Sequence, residues 1–112
     1  MLAKKYRLKN KKEFEKVYKN SKKIKNEFFL LKFQVNNLNN SRVGIVVPKK
    51  MKVTTVKRNK IKRLISEAIR SLWPQIKNGY DMIFICQKEV LDFWQIKKEI
   101  KRLLKKVNIY SN

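Results

Sequence analysis

A helical stripe set between two strand-like runs is the strongest constraint on this chain. Ile61, Leu64, Ile65, Ala68, Ile69 and Leu72 recur at the three- and four-residue spacing that lines one face of an α-helix. Before the stripe, RVGIVVP aims Val43, Ile45 and Val47 at a core, and Pro48 limits the strand because proline cannot donate to a ladder. After it, Pro74 ends or kinks the helix and NGYD turns the chain. MIFICQ at 82–87 then has the length of a buried strand. Strand, helix, strand in this succession requires a sheet with the helix packed upon it.

The flanks extend the pattern. Asn10 and Glu13 have capping-box spacing, and Phe14, Val17 and Tyr18 mark one face of a short helix over residues 11–19. A basic stretch, Ser21 to Lys25, leads to FFLLKFQV. There Phe29, Leu31, Phe33 and Val35 form an apolar face, while Phe28, Leu30, Lys32 and Gln34 form a mixed one. NNLNNS at 36–41 reads as a hairpin-type loop. Asp92 and Gln95 form another capping-type pair. The last helix packs through Ile96, Ile100, Leu103, Leu104 and Val107, with Lys97, Lys98, Lys101, Arg102, Lys105 and Lys106 in solvent. The order helix, strand, strand, helix, strand, helix predicts an α+β two-layer sandwich, one domain over residues 1–112.

Charge decides the class of partner. Lys plus Arg total 30 against 8 Asp plus Glu, a net charge of +22 on 112 residues. Self-repulsion at that density opposes compaction, so a polyanion is the natural partner, with nucleic acid ahead of an acidic membrane surface. No run approaches the ~18 apolar residues of a membrane span, and MLAKKYRLKN lacks the apolar core of a secretory signal. Cys86 is the only cysteine, so no internal disulfide forms, which fits a reducing cytoplasm.

Catalysis by the chain itself is disfavoured. There is no histidine, the commonest general base near neutral pH. The acidic residues lack metal-ligand spacing, apart from Glu13 and Glu15 on a very short helix. Cys86 sits in an apolar strand as a small hydrophobe, and two glycines cannot build a phosphate loop. The chain therefore reads as a binder, with no metal, cofactor or small-molecule substrate of its own.

The binding candidate is VKRNKIKRLISEAIR, residues 56–70. Its first turns hold Lys57, Arg58, Lys60, Lys62 and Arg63 at the positive end of the helix dipole, where cations are mildly destabilising unless an anion joins them. Asn59, Lys62, Arg63, Ser66 and Arg70 fall on one side, away from the stripe. Free backbone N–H groups, dipole and cations thus converge on one place. A merely solvated face usually mixes signs, whereas between Lys49 and Arg70 only Glu67 is acidic. The aromatic residues divide: Phe14 fits a core better than a stacking surface, and Tyr18 fits either, because its hydroxyl tolerates water.

V-x-R-N-x-x-K-R before an apolar helix, here Val56, Arg58, Asn59, Lys62 and Arg63, resembles the signature of the bacterial ribonuclease P protein subunit. LKNKKEFEKVYKNS, FFLLKF, RVGIVVPKK with its double lysine at Lys49 and Lys50, GYDMIFICQ and the basic C-terminal helix resemble that family in the same order, over residues 7–107. The chain departs from it in KMKVTTV, which is one residue longer and lacks the usual glycine. It also has Ser66 and Gln87 in place of arginines and Lys32 in place of a tyrosine.

The resemblance implies a small, mostly antiparallel sheet of about four strands with three helices. It further implies a left-handed βαβ crossover of the kind found in ribosomal-protein sandwiches, and a short extra strand near 22–26. It implies a role in removing the 5′ leader of precursor tRNA, with catalysis and magnesium in the RNA subunit. Lys49, Lys50, Lys57, Arg58, Asn59, Lys60, Lys62, Arg63 and Arg70 would dock on the catalytic RNA. Phe14, Tyr18, Leu30, Lys32 and Val46 would line a cleft for the single-stranded leader. A basic ribosomal RNA-binding protein is the alternative. A helix-turn-helix is not readable, since two strands separate the basic helix from the one before it.

Overall fold

In the computed structural model, which describes residues 2–111, the chain forms a four-stranded sheet with helices on both faces. The elements are α1 (Lys11–Asn20), β1 (Lys22–Lys25), β2 (Phe29–Val35), β3 (Arg42–Val46), α2 (Thr55–Leu72), β4 (Tyr80–Cys86) and α3 (Phe93–Lys106). Short 3-10 turns occupy Lys4–Tyr6, Lys49–Met51 and Trp73–Gln75. The spatial order is β1-β2-β4-β3. β1 with β2 and β2 with β4 run antiparallel, whereas β3 and β4, which flank α2 in sequence, run parallel. The extra strand implied near 22–26 is β1.

Helix starts follow the side chains that cap them. Asn10 Oδ1 accepts from Glu13 N at 2.9 Å while Glu13 Oε1 reaches back to the backbone at Lys9 and Asn10, so the capping box is closed. Thr54 caps α2 by accepting from Lys57 N, and Asp92 caps α3 by accepting from Trp94 N and Gln95 N. Pro74 lies in the 3-10 turn that terminates α2.

The larger core lies between the sheet and the pair α2 and α3. Phe29 and Leu31 of β2 and Met82 and Phe84 of β4 meet Ile61, Ile65 and Ile69 of α2 and Ile96, Ile100 and Leu103 of α3. Each of these is at most 1% exposed. On the opposite face, Leu8, Val17 and Ile83 form a smaller core, with Phe14, Val46 and Ile85 packed against it.

Three expectations change. The loop at 36–41 does not join paired strands, because β4 lies between β2 and β3. Instead Asn36 N donates to Gly79 O, and the Asn36 amide donates to Asp81 and to Asn40 O, tying the loop across the end of β4. Val35, assigned to the apolar face, is 64% exposed at the end of β2. Ser66, assigned to the open side of α2, is buried and lines a recess together with Leu2, Arg7 and Leu8 of the N-terminal segment. That segment holds Leu2 in the core, bridges Arg7 to Val43 and donates Leu8 N to Val43 O.

Candidate nucleic-acid interface

The head of α2 is built from backbone donors and cations. Its first turn contains no acidic residue. The chain enters through Lys49–Met51, and Lys52 adopts the left-handed conformation with φ 42°. Arg58 folds back on this turn, its Nη1 donating to the carbonyls of Val47 and Pro48, 2.9 Å from the latter. The guanidinium thereby holds the turn carrying Lys49 and Lys50 beside α2. Because it has five N–H donors, it keeps some to offer an external anion. Lys49, Lys50, Asn59, Lys60, Lys62 and Arg63 are exposed.

Two residues of the sequence-derived set stand apart. Lys57 pairs with Glu89 at 3.3 Å, which draws it toward the loop before α3. Arg70 lies twelve residues after Arg58, so about 18 Å further along the axis, and pairs with Glu67 at 3.5 Å. The candidate anion site that backbone and side chains form together is therefore narrower than the run of charges. Lys62 and Ser66 face a recess of about 220 Å³ shared with Arg7, Phe14, Gly44 and Ile45, so α2 presents a concave wall as well as a charged end.

The sheet face beneath α1 forms the second candidate. Strand alternation puts Leu30, Lys32 and Gln34 on this face. In register they stand beside Ile85, Ile83 and Asp81 of β4, which in turn stand beside Val46, Gly44 and Arg42 of β3. α1 crosses the middle of it. Phe14 lies over Gly44, where an added Cβ would come within 2.5 Å of the ring, so glycine is what allows the helix this close. Tyr18, 39% exposed, sits by Lys32, whose ammonium is 4.7 Å from the ring centroid. Partial burial pushes the Tyr18 hydroxyl above its ordinary pKa, keeping it protonated and able to donate. The row Leu30–Ile85–Val46 remains half-buried past α1, an apolar floor with Phe14 and Val17 on its helix side.

α1 is pinned at the other end of the sheet by ions. Arg42 makes a two-pronged contact with Asp81, at 2.9 and 2.8 Å, and its Nη1 reaches Glu13 Oε2 at 2.6 Å. Asp81 is 2% exposed and takes a further hydrogen bond from Asn36. The backbone N–H of Lys9, followed by the charge of Arg42, holds the Glu13 carboxyl below the usual carboxylate range. One carboxylate thus closes the helix cap and anchors the helix to β3.

Sequence reasoning missed several residues of this face. Ile85 completes the floor, and period two within MIFICQ would have put it opposite Cys86. Lys23 and Lys25 stand in register beside Lys32 and Leu30, so β1 adds an exposed cationic margin. Arg7 enters only through the edge bridge to β3, which no local pattern signals. Among the described residues no helix is long and apolar enough to cross a membrane.

Comparison with known proteins identifies the family and the fold. The sequence model of the family Ribonuclease P matches residues 2–108. The ribonuclease P protein component of Thermoanaerobacter sp. (strain X514) is 38% identical over 101 residues, covering 88% of this chain and 86% of that protein. That of Clostridium kluyveri is 38% identical over 110 residues, covering 95% and 97%. Among solved structures, a Staphylococcus aureus RNase P protein mutant with defective mRNA degradation activity superposes with a TM-score of 0.86 at 30% identity, covering 96% of this chain and 92% of that one. The Thermotoga maritima RNase P protein superposes at 0.81 and 34% identity, covering 89% and 96%. With the family matched over nearly its whole length and the same fold in its relatives, the chain belongs to the ribonuclease P protein component family.

Proposed function

We propose that this chain acts in the cytoplasm as the protein half of a ribonucleoprotein that removes 5′ leaders from precursor tRNA, with the RNA half performing the chemistry. The head of α2 docks on the catalytic RNA through Arg58, Asn59, Lys60, Lys62 and Arg63, joined by Lys49 and Lys50. Lys57 and Arg70 contribute at the margins, after exchanging their present carboxylate partners for phosphate. The face under α1 holds the leader. Bases stack against Phe14 and Tyr18 over the floor of Leu30 and Val46, and Lys32 meets a phosphate. Such contacts suit unpaired RNA of varied sequence.

The single observation that carries this reading is the pairing of a cationic helix head, whose own first turn has no acidic residue, with a half-buried apolar floor that has a cationic margin. Magnesium belongs to the RNA in this account. Among the described residues no three His, Cys, Asp or Glu side chains come together to hold a metal, and Glu13 and Asp81 are engaged by Arg42. The test is leader cleavage at low magnesium by a cognate ribonuclease P RNA, with and without the protein. Stimulation is expected. Absence of stimulation, with tight binding to ribosomal RNA instead, would favour a ribosomal role.

A further inference from the structure

The exposed side of α3 has no part in either surface above. Its apolar side is spent in the core, since Ile96, Ile100, Leu103 and Leu104 are at most 1% exposed. It therefore lies on the sheet face opposite α1 and the cleft. Outward it presents Trp94, Lys97, Lys98, Lys101, Arg102 and Lys105 around a shallow recess of about 300 Å³. Trp94 is 72% exposed, although an indole of this size is normally well covered. The Lys97 ammonium stands 5.6 Å from its ring centroid. At the far end, Lys101 and Lys105 stand 5.5 and 5.7 Å from the ring of Tyr110. Glu99, the one acidic residue within the helix, is turned inward, 9% exposed, and pairs with Arg102 at 3.4 Å.

From this arrangement we propose that the exposed face of α3 is a second binding surface for single-stranded RNA, with one base stacked on Trp94 and the following phosphates on the row Lys97, Lys101 and Lys105. Those three residues recur every four positions, so about 6 Å apart along the helix axis, a step on the scale of successive phosphates in an extended strand. The aromatic residue lies at one end of the row with a cation already beside it, so stacking and phosphate pairing are available to one nucleotide. A membrane is the poorer partner. Surface-binding helices insert a broad apolar face, and here that face is closed in the core, leaving at the head of α3 only Trp94, with Phe93 edge-on against it and Leu91 partly exposed in the loop before. An acidic polypeptide would satisfy the lysines but gives no reason for an uncovered indole.

The test uses the full chain carrying Trp73→Phe, so that Trp94 is the sole tryptophan and its emission reports on this face alone. Titration with oligouridylate should quench that emission saturably. Lys97→Glu with Lys101→Glu should weaken the quenching transition tenfold or more. The same pair should lower the slope of log K against log salt by about 1.4, at ~0.7 for each single-strand phosphate that the lysines no longer neutralise. Arg63→Ala should leave the quenching unchanged, and circular dichroism should report an intact fold throughout. The proposal is overturned if the oligonucleotide binds by anisotropy without quenching Trp94, or if the charge reversals leave the quenching intact. Equal quenching by polyglutamate, or a blue shift with phosphatidylglycerol vesicles and no response to oligouridylate, would also overturn it.

Discussion

Gly44→Ala should unseat α1, and the structure sets the size of the effect. An alanine Cβ at this position would lie 2.5 Å from both Cε1 and Cζ of Phe14 and 3.3 Å from Cδ1 of Leu8. Carbon atoms pack best at about 3.5–4.0 Å, so the ring must retreat by about 1 Å. It cannot slide freely, because Glu13, its neighbour in the chain, is tied to Arg42. Overpacking of this kind costs ~1–3 kcal/mol, and a chain of this size loses roughly 4–8 °C in Tm per kcal/mol. Thermal unfolding followed by circular dichroism measures the loss. The diagnostic step is a double-mutant cycle with Phe14→Leu, which removes the clashing ring atoms. In that background Gly44→Ala should cost far less, a coupling of ~1 kcal/mol or more. Additivity within ~0.5 kcal/mol would mean that the ring does not rest on Gly44, and the reasoning about the cleft would fail with it.

Other expectations follow from the same geometry. Arg42→Met strands the buried Asp81 carboxylate and frees Glu13, so stability should fall by ~3–5 kcal/mol in chemical denaturation at neutral pH. The folded-state pKa of Glu13 is depressed, so its contribution is full above the ordinary carboxylate pKa and is lost as pH falls through the lowered folded value. Glu13→Gln should flatten the stability curve across that acid window, while an unchanged curve would remove Glu13 from the anchor. If about six cations meet phosphates of the catalytic RNA, log K should fall with log salt at a slope of roughly −4 to −5, and Lys62→Ala with Arg63→Ala should make it shallower by more than one. Sulfate or phosphate should raise the Tm at low salt, because an anion relieves repulsion in a chain of net charge +22.

Local patterns carried much of the fold. The stripe from Ile61 to Leu72, the Asn10–Glu13 box and the alternation of FFLLKFQV were each legible because the signal and the structure lie within a few residues. Strand pairing was not, because β2 and β3 are neighbours in sequence and non-neighbours in the sheet. The clue lay in MIFICQ. Met82, Ile83 and Phe84 are buried on both faces, which is the mark of an inner strand, and that displaces β3 to the edge. At the interface, the cations of α2 were visible as charge. That Arg58 braces the preceding turn and Lys57 leans on Glu89 depends on backbone paths set elsewhere. The candidate cleft residues Phe14 and Tyr18 stayed ambiguous from spacing alone, since at the margin of a small core one ring packs while the other stays accessible. Ser66 shows the limit most simply: helical phase turned it outward, yet it is buried beside a recess that it shares with a segment about sixty residues earlier in the chain.

Two surfaces with separate tasks form the core of the account, and a crossed affinity measurement addresses that directly. Holoenzymes reconstituted with wild-type protein, Tyr18→Ala or Arg63→Ala would be compared for affinity toward leader-bearing and mature tRNA, alongside binding of each protein to the catalytic RNA. Tyr18→Ala should weaken the leader-bearing tRNA by roughly 5- to 150-fold, the value of one stacked base, and leave mature tRNA and RNA assembly unchanged. Arg63→Ala should weaken assembly with the catalytic RNA and, once assembled, spare the preference for a leader. Equal losses toward both tRNAs from Tyr18→Ala, or undiminished assembly with Arg63→Ala, would contradict the division of labour.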